Sequence, residues 1–175
     1  MIRQATAADL DQIADAYEEH FAFEETHPTQ AFTVFKRGVY PTRRDAEKAL
    51  ADDGLTVFEE GGRILASVIT SGQQPPEYAN VVWQRALPAE AVRVIHLLMV
   101  RPSTSGRGIG AQLMRHVEDA ARETGCAALR LDTGSQNKPA VHLYEKLGYQ
   151  IVAGGAMKVG GAVSHDGHLF LEKIL

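Results

Sequence analysis

The stretch MVRPSTSGRGIGAQLMRHVEDAA, residues 99–121, decides the fold of this chain. It joins the end of a strand-like apolar segment to an amphipathic helix through a turn that contains Gly106, Gly108 and Gly110. A strand that feeds a helix in this way points several consecutive backbone N–H groups toward one place, with the positive end of the helix dipole behind them. Glycines let a ligand approach the backbone closely, so the junction predicts an anion-binding turn with Arg107 adding charge at its rim.

A glycine-rich turn can also form for reasons of backbone geometry alone. A tight turn that needs positive φ would use glycines without binding any ligand. Two nucleotide-binding motifs do not fit, because the GK[ST] ending of a P-loop is absent and the spacing is G-x-G-x-G rather than G-x-G-x-x-G. The turn alone therefore does not identify its ligand, and further evidence must come from other segments of the chain.

The composition indicates one folded globular domain over residues 1–175. Hydrophobic residues make up 45% and charged residues 23%, a balance unlike that of disordered chains. The formal net charge of -4 disfavours nucleic acid as a partner. A single cysteine allows no internal disulfide, and the chain shows neither a signal-peptide pattern nor an apolar run of membrane-spanning length. We therefore expect a cytoplasmic protein without a membrane partner.

The order of predicted elements is mixed α/β. The periodicity predicts strands over residues 2–5, 55–60, 63–71, 92–100, 126–133, 149–155 and 168–175, and helices over 8–21, 42–52, 108–124 and 138–148. The long connection over 72–90 contains three prolines, and a connection of that length is more often functional than idle. The HDGH run at 165–168 is interpreted as an Asp-Gly turn before the last strand, so no metal site is predicted.

Two segments carry a family resemblance. VRPSTSGRGIGAQLM at 100–114 and RLDTGSQNKPAVHLYEKLGY at 130–149 resemble, in order and spacing, the two signature segments of the GNAT superfamily of N-acetyltransferases. The resemblance implies a mixed, mostly antiparallel sheet with a splayed central parallel pair, flanked by helices. It also implies transfer of an acetyl group from acetyl-CoA to a primary amine by direct attack in a ternary complex. Members of the family often dimerise, so a homodimer stays open.

The resemblance implies where acetyl-CoA binds. The turn would hold the pyrophosphate of CoA through backbone amides, and the strand end before it would pair with the pantetheine arm. In the family an asparagine contacts the CoA arm and a tyrosine approaches its sulfur, which here are Asn137 and Tyr144. Ser105 departs from the Gln or Arg that the family usually has. The residues expected at the cofactor are Leu98, Met99, Val100, Gly106, Arg107, Gly108, Ile109, Gly110, Ala111, Asn137 and Tyr144.

Acyl transfer to an amine needs an N–H group near the thioester oxygen and a proton donor near sulfur. The region of Met99 is expected to supply the N–H group, and Tyr144 the donor. With reference pKa values of about 10 for a phenol and about 8.5 for a thiol, Tyr144 would stabilise a thiolate more by hydrogen bonding than by complete proton transfer. Without the surrounding motif, Tyr144 would be interpreted as a core aromatic residue.

The sequence does not identify a single residue as the general base that removes the proton from the amine. Some family members carry a glutamate on the first splayed strand, whereas this chain has Val94 in that region. His96 is the nearest titratable residue and is predicted either as a base acting through water or as a buried histidine held by hydrogen bonds. Asp132 is a second candidate, which could equally position the loop that follows it. The amine could also lose its proton without a dedicated side chain.

The segments expected to form the acceptor site carry no recognisable sequence motif. Glu24, Trp83 and Asp132 are expected near the acceptor, although a solvated loop charge accounts for Glu24 and loop anchoring accounts for Trp83 equally well. The acceptor itself stays open between a small-molecule amine, such as an antibiotic, polyamine or amino acid, and a peptide amine. A non-catalytic acyl-CoA-binding sensor or interaction module is the rival hypothesis, favoured by the missing strand carboxylate and opposed by Asn137 and Tyr144.

Overall fold

In the computed structural model, which describes residues 1–175, seven strands form a single sheet flanked by four α-helices. The strands are β1 Ile2–Gln4, β2 Leu55–Glu60, β3 Arg63–Ser71, β4 Val92–Val100, β5 Ala128–Gly134, β6 Gln150–Val159 and β7 Val163–Ile174. The helices are α1 Leu10–Thr26, α2 Arg43–Ala51, α3 Ile109–Glu123 and α4 Lys138–Lys146. The strand order is β1-β2-β3-β4-β5-β7-β6, with β4 and β5 as the one parallel pair. This architecture confirms the predicted fold class.

The two central strands separate part of the way along their length. β4 and β5 pair in parallel from Val92 opposite Ala128 to Ile95 opposite Leu131, and no further. On its other side β4 stays paired with β3 as far as Val100. A wedge therefore opens between the second half of β4 and the end of β5, as the family resemblance implies.

The sheet buries a core on each face. On one face α3 and α4 pack over the middle of the sheet, where Leu98 and Val100 of β4 contact the core around Leu113. On the other face α1 and α2 cover the neighbouring β4 residues Leu97 and Met99. This alternation follows from the period of two along a strand, and it anchors β4 from both sides beside the wedge. No helix of the chain combines the length and the apolar character that crossing a bilayer requires.

The hairpin of β6 and β7 corrects one sequence interpretation. Asp166 and Gly167 do not form a turn before the last strand, because they lie inside β7. The turn of the hairpin lies instead at Gly160 and Gly161, whose φ angles of 59° and 69° favour glycine. The hairpin is consequently much longer than predicted, and it brings His168 of β7 opposite Gly134 at the end of β5.

The connection between β3 and β4, residues 72–91, forms a strap across one end of the sheet and is held there by a buried ion pair. Arg130 of β5 bonds Glu172 of β7 through its Nε at 2.9 Å, with side-chain exposures of 5% and 0%. The backbone N–H of Gln84 donates to the same carboxylate at 2.8 Å, and Arg130 donates to the Oε1 atom of Gln74 at 2.8 Å. Arg130 also donates to the carbonyl of Arg85 at 3.3 Å, so one pair of charges holds the strap at three residues.

We expect Glu172→Ala to reduce the free energy of unfolding by about 3–5 kcal/mol, because it leaves the Arg130 guanidinium buried without a counter-charge. Urea denaturation monitored by circular dichroism measures this loss. The control is Glu47→Ala, which removes the exposed ion pair with Arg43 and should cost less than about 1 kcal/mol. Equal losses in the two variants would show that the buried pair does not anchor the strap.

Candidate active site

The wedge between β4 and β5 opens into a cleft of about 940 Å³. Its walls come mainly from α1, the loop after α1, β4, the glycine-rich turn, the start of α3, β5 and α4, with single residues from β6 and β7. The cleft brings together every predicted site residue except Trp83, namely Glu24, His96, Leu98, Met99, Val100, Gly106, Arg107, Gly108, Ile109, Gly110, Ala111, Asp132, Asn137 and Tyr144.

The glycine-rich turn presents unused backbone donors to the cleft. Gly106 and Gly108 have φ angles of 79° and 72°, a region in which a side chain would be strained. Gly110 lies against β4, where an added Cβ would be 3.4 Å from Val100 Cγ2. The six successive N–H groups from Gly106 to Ala111 have no hydrogen-bond acceptor in the protein, as expected at the start of a helix. This row of donors, backed by the dipole of α3, suits a diphosphate.

The cations of the cleft lie at this same end. Arg107 of the turn donates to both carboxylate oxygens of Glu60, at 2.8 and 2.9 Å, so its charge is shared with a neighbour on β2. Arg115 of α3 and Lys146 at the end of α4 also line the cleft. The positive charge predicted at the rim is therefore present, although Arg107 is already paired.

The free edge of β4 supplies further donors and acceptors. The N–H of Arg101 bonds the carbonyl of Leu65 on β3 at 2.9 Å. Because backbone groups alternate along a strand, the N–H of Met99 also points toward β3, whereas those of Leu98 and Val100 point into the wedge. The donor expected in the region of Met99 is thus provided by its two neighbours.

Helix α4 places Asn137 and Tyr144 on the cleft. Asn137 is the N-cap of the helix, and its side-chain oxygen accepts from the N–H of Ala140 at 3.3 Å. The Tyr144 side chain is buried two turns later, and its hydroxyl has no hydrogen-bond partner in the protein. Burial, reinforced by the nearby Asp132, raises the pKa of Tyr144 well above its usual value. Tyr144 is therefore a neutral phenol with a free O–H group.

Asp132 is a carboxyl group that titrates near neutrality. Burial raises the pKa of Asp132 to about 6, although a hydrogen bond from the Tyr78 hydroxyl at 2.8 Å opposes the rise. The Nε2 atom of His168 lies 3.8 Å from Asp132, too far for a hydrogen bond. Burial also lowers the pKa of His168 to about 4, so this ring is neutral at pH 7 and forms no ion pair. Asp132 thus relies on one donor, which comes from the strap.

His96 sits at an irregularity of β4. The pairing with β3 shifts between Ile69 and Thr70, which leaves His96 as the extra residue. Its Nε2 atom lies 2.7 Å from the Ser71 hydroxyl, and burial lowers the pKa of His96 to about 4, with Lys48 adding to the effect. The imidazole is consequently neutral and a weaker base than an ordinary histidine. This differs from the sequence-based expectation, which assumed an ordinary histidine pKa for His96.

The Glu24 carboxylate holds the loop that closes the far end of the cleft. It accepts from the N–H groups of Phe32 and Thr33, each at 2.9 Å, and from the Thr33 hydroxyl at 2.8 Å. Burial raises the pKa of Glu24, but the neighbouring His20 and the N–H and hydroxyl of Thr33 lower it by more, so the pKa is lowered overall and the side chain is charged at pH 7. Glu24 lines the cleft as a structural carboxylate with little hydrogen-bonding capacity left.

Trp83 lies outside the cleft, contrary to the expectation that it lines the acceptor site. Its ring packs over the Arg130 guanidinium at 4.3 Å, and its indole N–H donates to the Tyr78 carbonyl at 3.1 Å. Trp83 therefore anchors the strap. His168 belongs to the HDGH run interpreted from the sequence as a turn, and the unpredicted length of the β6–β7 hairpin places its Nε2 atom 3.8 Å from Asp132.

Comparison with known proteins agrees with this geometry. The Acetyltransferase (GNAT) family matches residues 11–149. Streptothricin acetyltransferase of Streptomyces lavendulae is 34% identical over 131 residues, which cover 69% of this chain and 66% of that protein. The chain therefore spans slightly less than two thirds of that relative's length.

Solved structures share the fold at low sequence identity. A GNAT-family acetyltransferase from Streptococcus agalactiae superposes with a TM-score of 0.80 at 21% identity, over 100% of this chain and 95% of that one. A structure from Salmonella typhimurium with its cofactor acetyl-CoA gives a TM-score of 0.65 at 20% identity, over 100% and 93% of the two chains. Because the family model matches residues 11–149, most of the chain, the chain belongs to the GNAT family of acetyltransferases.

We expect Tyr78→Phe to raise the pKa of Asp132 above about 6, because it removes the one hydrogen bond that favours the carboxylate. A titration of the Asp132 carboxyl carbon by NMR measures the shift. Tyr149→Phe is the matched control, since the Tyr149 hydroxyl has no hydrogen-bond partner. An unchanged midpoint in Tyr78→Phe would show that the strap does not tune this carboxyl group.

Proposed function

We propose that this protein is an N-acetyltransferase, which moves an acetyl group from acetyl-CoA to a primary amine of a small molecule or peptide by direct attack in a ternary complex. One observation carries the proposal: six free N–H groups, from Gly106 to Ala111, open onto the same cleft as the free hydroxyl of Tyr144 and the carboxyl of Asp132. The family membership supports it.

The residues of the cleft fit acetyl-CoA. The N–H groups of the turn would hold the diphosphate, and the free edge of β4 at Leu98 and Val100 would pair with the amides of the pantetheine arm. Arg115 and Lys146 lie at the end where the CoA phosphates would be. When bound, acetyl-CoA supplies a thioester whose carbonyl carbon accepts the amine.

Asp132 is the general base in this proposal. With a pKa of about 6 its carboxylate predominates at pH 7, and it can accept the proton that the amine nitrogen loses. His96, with a pKa of about 4, is too weak a base to compete and instead holds Ser71 by a hydrogen bond. The rate should accordingly rise with pH through about 6, where Asp132 ionises.

The remaining residues stabilise charge. The amine nitrogen would add to the thioester carbonyl carbon and lose its proton to Asp132, and the carbon–sulfur bond would then break, so negative charge would develop first on oxygen and then on sulfur. Of the two N–H groups that point into the wedge, at Leu98 and Val100, one would donate to the thioester oxygen while the other pairs with the pantetheine arm, and the Tyr144 O–H would donate to sulfur. Because the pKa of Tyr144 is raised, hydrogen bonding describes its role better than full proton transfer.

The second candidate is a binding module that holds acyl-CoA without transferring the acyl group. The absence of an acidic residue from β4 favours it. Incubation of the protein with acetyl-CoA and a panel of primary amines separates the two functions, with free thiol as the readout. Amine-dependent thiol release supports the transferase, whereas tight binding without release supports the module.

We expect Gly108→Asp to abolish the binding of acetyl-CoA measured by isothermal titration calorimetry, because the new side chain adds negative charge at the turn and strains a backbone with φ 72°. Gly125→Asp is the control, since Gly125 has a similar φ of 79° but lies beyond the end of α3, away from the cleft. If Gly108→Asp still bound acetyl-CoA, the proposed role of the turn in binding would be contradicted, whatever the result for Gly125→Asp.

We expect Tyr144→Phe to lower kcat by about 10²-fold or more while changing the affinity for acetyl-CoA by less than about twofold, because only the donor to sulfur is removed. Steady-state kinetics and calorimetry measure the two quantities. A wild-type kcat in this variant would remove Tyr144 from the mechanism.

A further inference from the structure

The two ends of the cleft carry opposite charges. Every lysine and arginine that lines it belongs to the glycine-rich turn, α3 or α4, as Arg107, Arg115 and Lys146. The carboxylates that line it are Glu24 of α1 and Asp132 of β5, at the end away from the turn. The proposed CoA end is thus cationic, and the end left for the acceptor is anionic.

Two histidines that line the cleft, His96 and His168, do not offset this charge. Burial lowers the pKa of both His96 and His168 to about 4, so both rings are neutral at pH 7. His20 is already engaged with its neighbours, since its Nε2 atom lies 3.2 Å from the Thr33 hydroxyl and 3.5 Å from Glu24. No group at this end is both cationic and free to bind an anion.

The rest of the acceptor wall offers no cationic site for a carboxylate. The phenyl rings of Phe23, Phe32 and Phe35 line it. The N–H groups of Phe32 and Thr33, which could have received an anion, are both used by Glu24. Aromatic rings attract cations through their faces and do not hydrogen-bond anions. The wall therefore accommodates methylene groups and ammonium groups.

We propose that the acceptor is an aliphatic diamine or polyamine without a carboxylate, an inference that rests on the proposed function. One amine would lie at Asp132 and react, while the charge of Glu24, whose hydrogen-bonding capacity is largely used by Phe32 and Thr33, would favour a further ammonium group through longer-range attraction. A free amino acid would bring its carboxylate into a cleft end that holds two carboxylates and no free cation. Burying an unpaired anion there is costly, so the cleft selects against amino acids.

Three matched substrates test the inference on the unsubstituted protein with acetyl-CoA: cadaverine, lysinamide and lysine. Lysinamide keeps every atom group of lysine except the charged carboxylate, and cadaverine lacks the group altogether. We expect kcat/KM for cadaverine and for lysinamide to exceed that for lysine by at least tenfold. A value for lysine equal to or above that for lysinamide would overturn the inference while leaving the transferase function intact.

The two levels of failure remain distinguishable. If acetyl-CoA binds and no amine of any class is acetylated, the proposed function fails and the inference with it. If only a peptide amine is acetylated, the transferase function stands and the diamine inference is wrong. Both results come from the same assay of thiol release and product mass.

A pair of variants tests whether the charge of Glu24 contributes to the preference for lysinamide over lysine. Glu24→Gln removes a negative charge at the acceptor end, so the ratio of kcat/KM for lysinamide over lysine should fall at least threefold. Glu25→Gln is the control, because Glu25 pairs with Arg37 outside the cleft and its loss should leave the ratio unchanged. An unchanged ratio in a Glu24→Gln protein that still binds acetyl-CoA would exclude Glu24 from the selectivity. The substrate comparison on the unsubstituted protein does not depend on this variant folding.

Discussion

The end of pairing between β4 and β5 after Ile95 and Leu131 is the constraint on which the rest of the site depends. A strand in the middle of a sheet normally satisfies its backbone groups on both sides, whereas the second half of β4 does so only toward β3. The unpaired edge faces a cleft instead of a neighbouring strand. The glycine-rich turn follows β4 directly, so its free N–H groups open onto the same space.

The Asp132 carboxyl group, the proposed general base, is hydrogen-bonded by a segment distant in sequence. Asp132 receives its one hydrogen bond from Tyr78 of the strap, and the strap is held by the buried pair of Arg130 and Glu172. Arg130 and Asp132 belong to the same strand, two residues apart. The register of β5 therefore controls both the attachment of the strap and the position of the carboxyl that the strap tunes.

Sequence patterns predicted most of the framework and part of the site. The bounds of β2, β3 and β4 follow from continuous β-branched and aliphatic runs, and the turn follows from its glycines. The β6–β7 hairpin was predicted too short, because its glycines weaken the alternation that marks a strand. The hydrogen bond between Tyr78 and Asp132 joins residues 54 positions apart, and no local sequence pattern predicts such a contact. The misplacement of Trp83 has the same cause, since its partner Arg130 lies in a different element.

The anchoring of the strap has a consequence for exchanging parts between relatives. Residues 72–91 resemble an independent loop in sequence, but their contacts are made with charges on β5 and β7. A chimaera that receives this segment without Arg130 and Glu172 would contain the phenol of Tyr78 but lack the contacts that position it beside Asp132. The structural unit that positions the Tyr78 phenol is therefore discontinuous, consisting of one surface segment and two interior residues that would have to be transferred together.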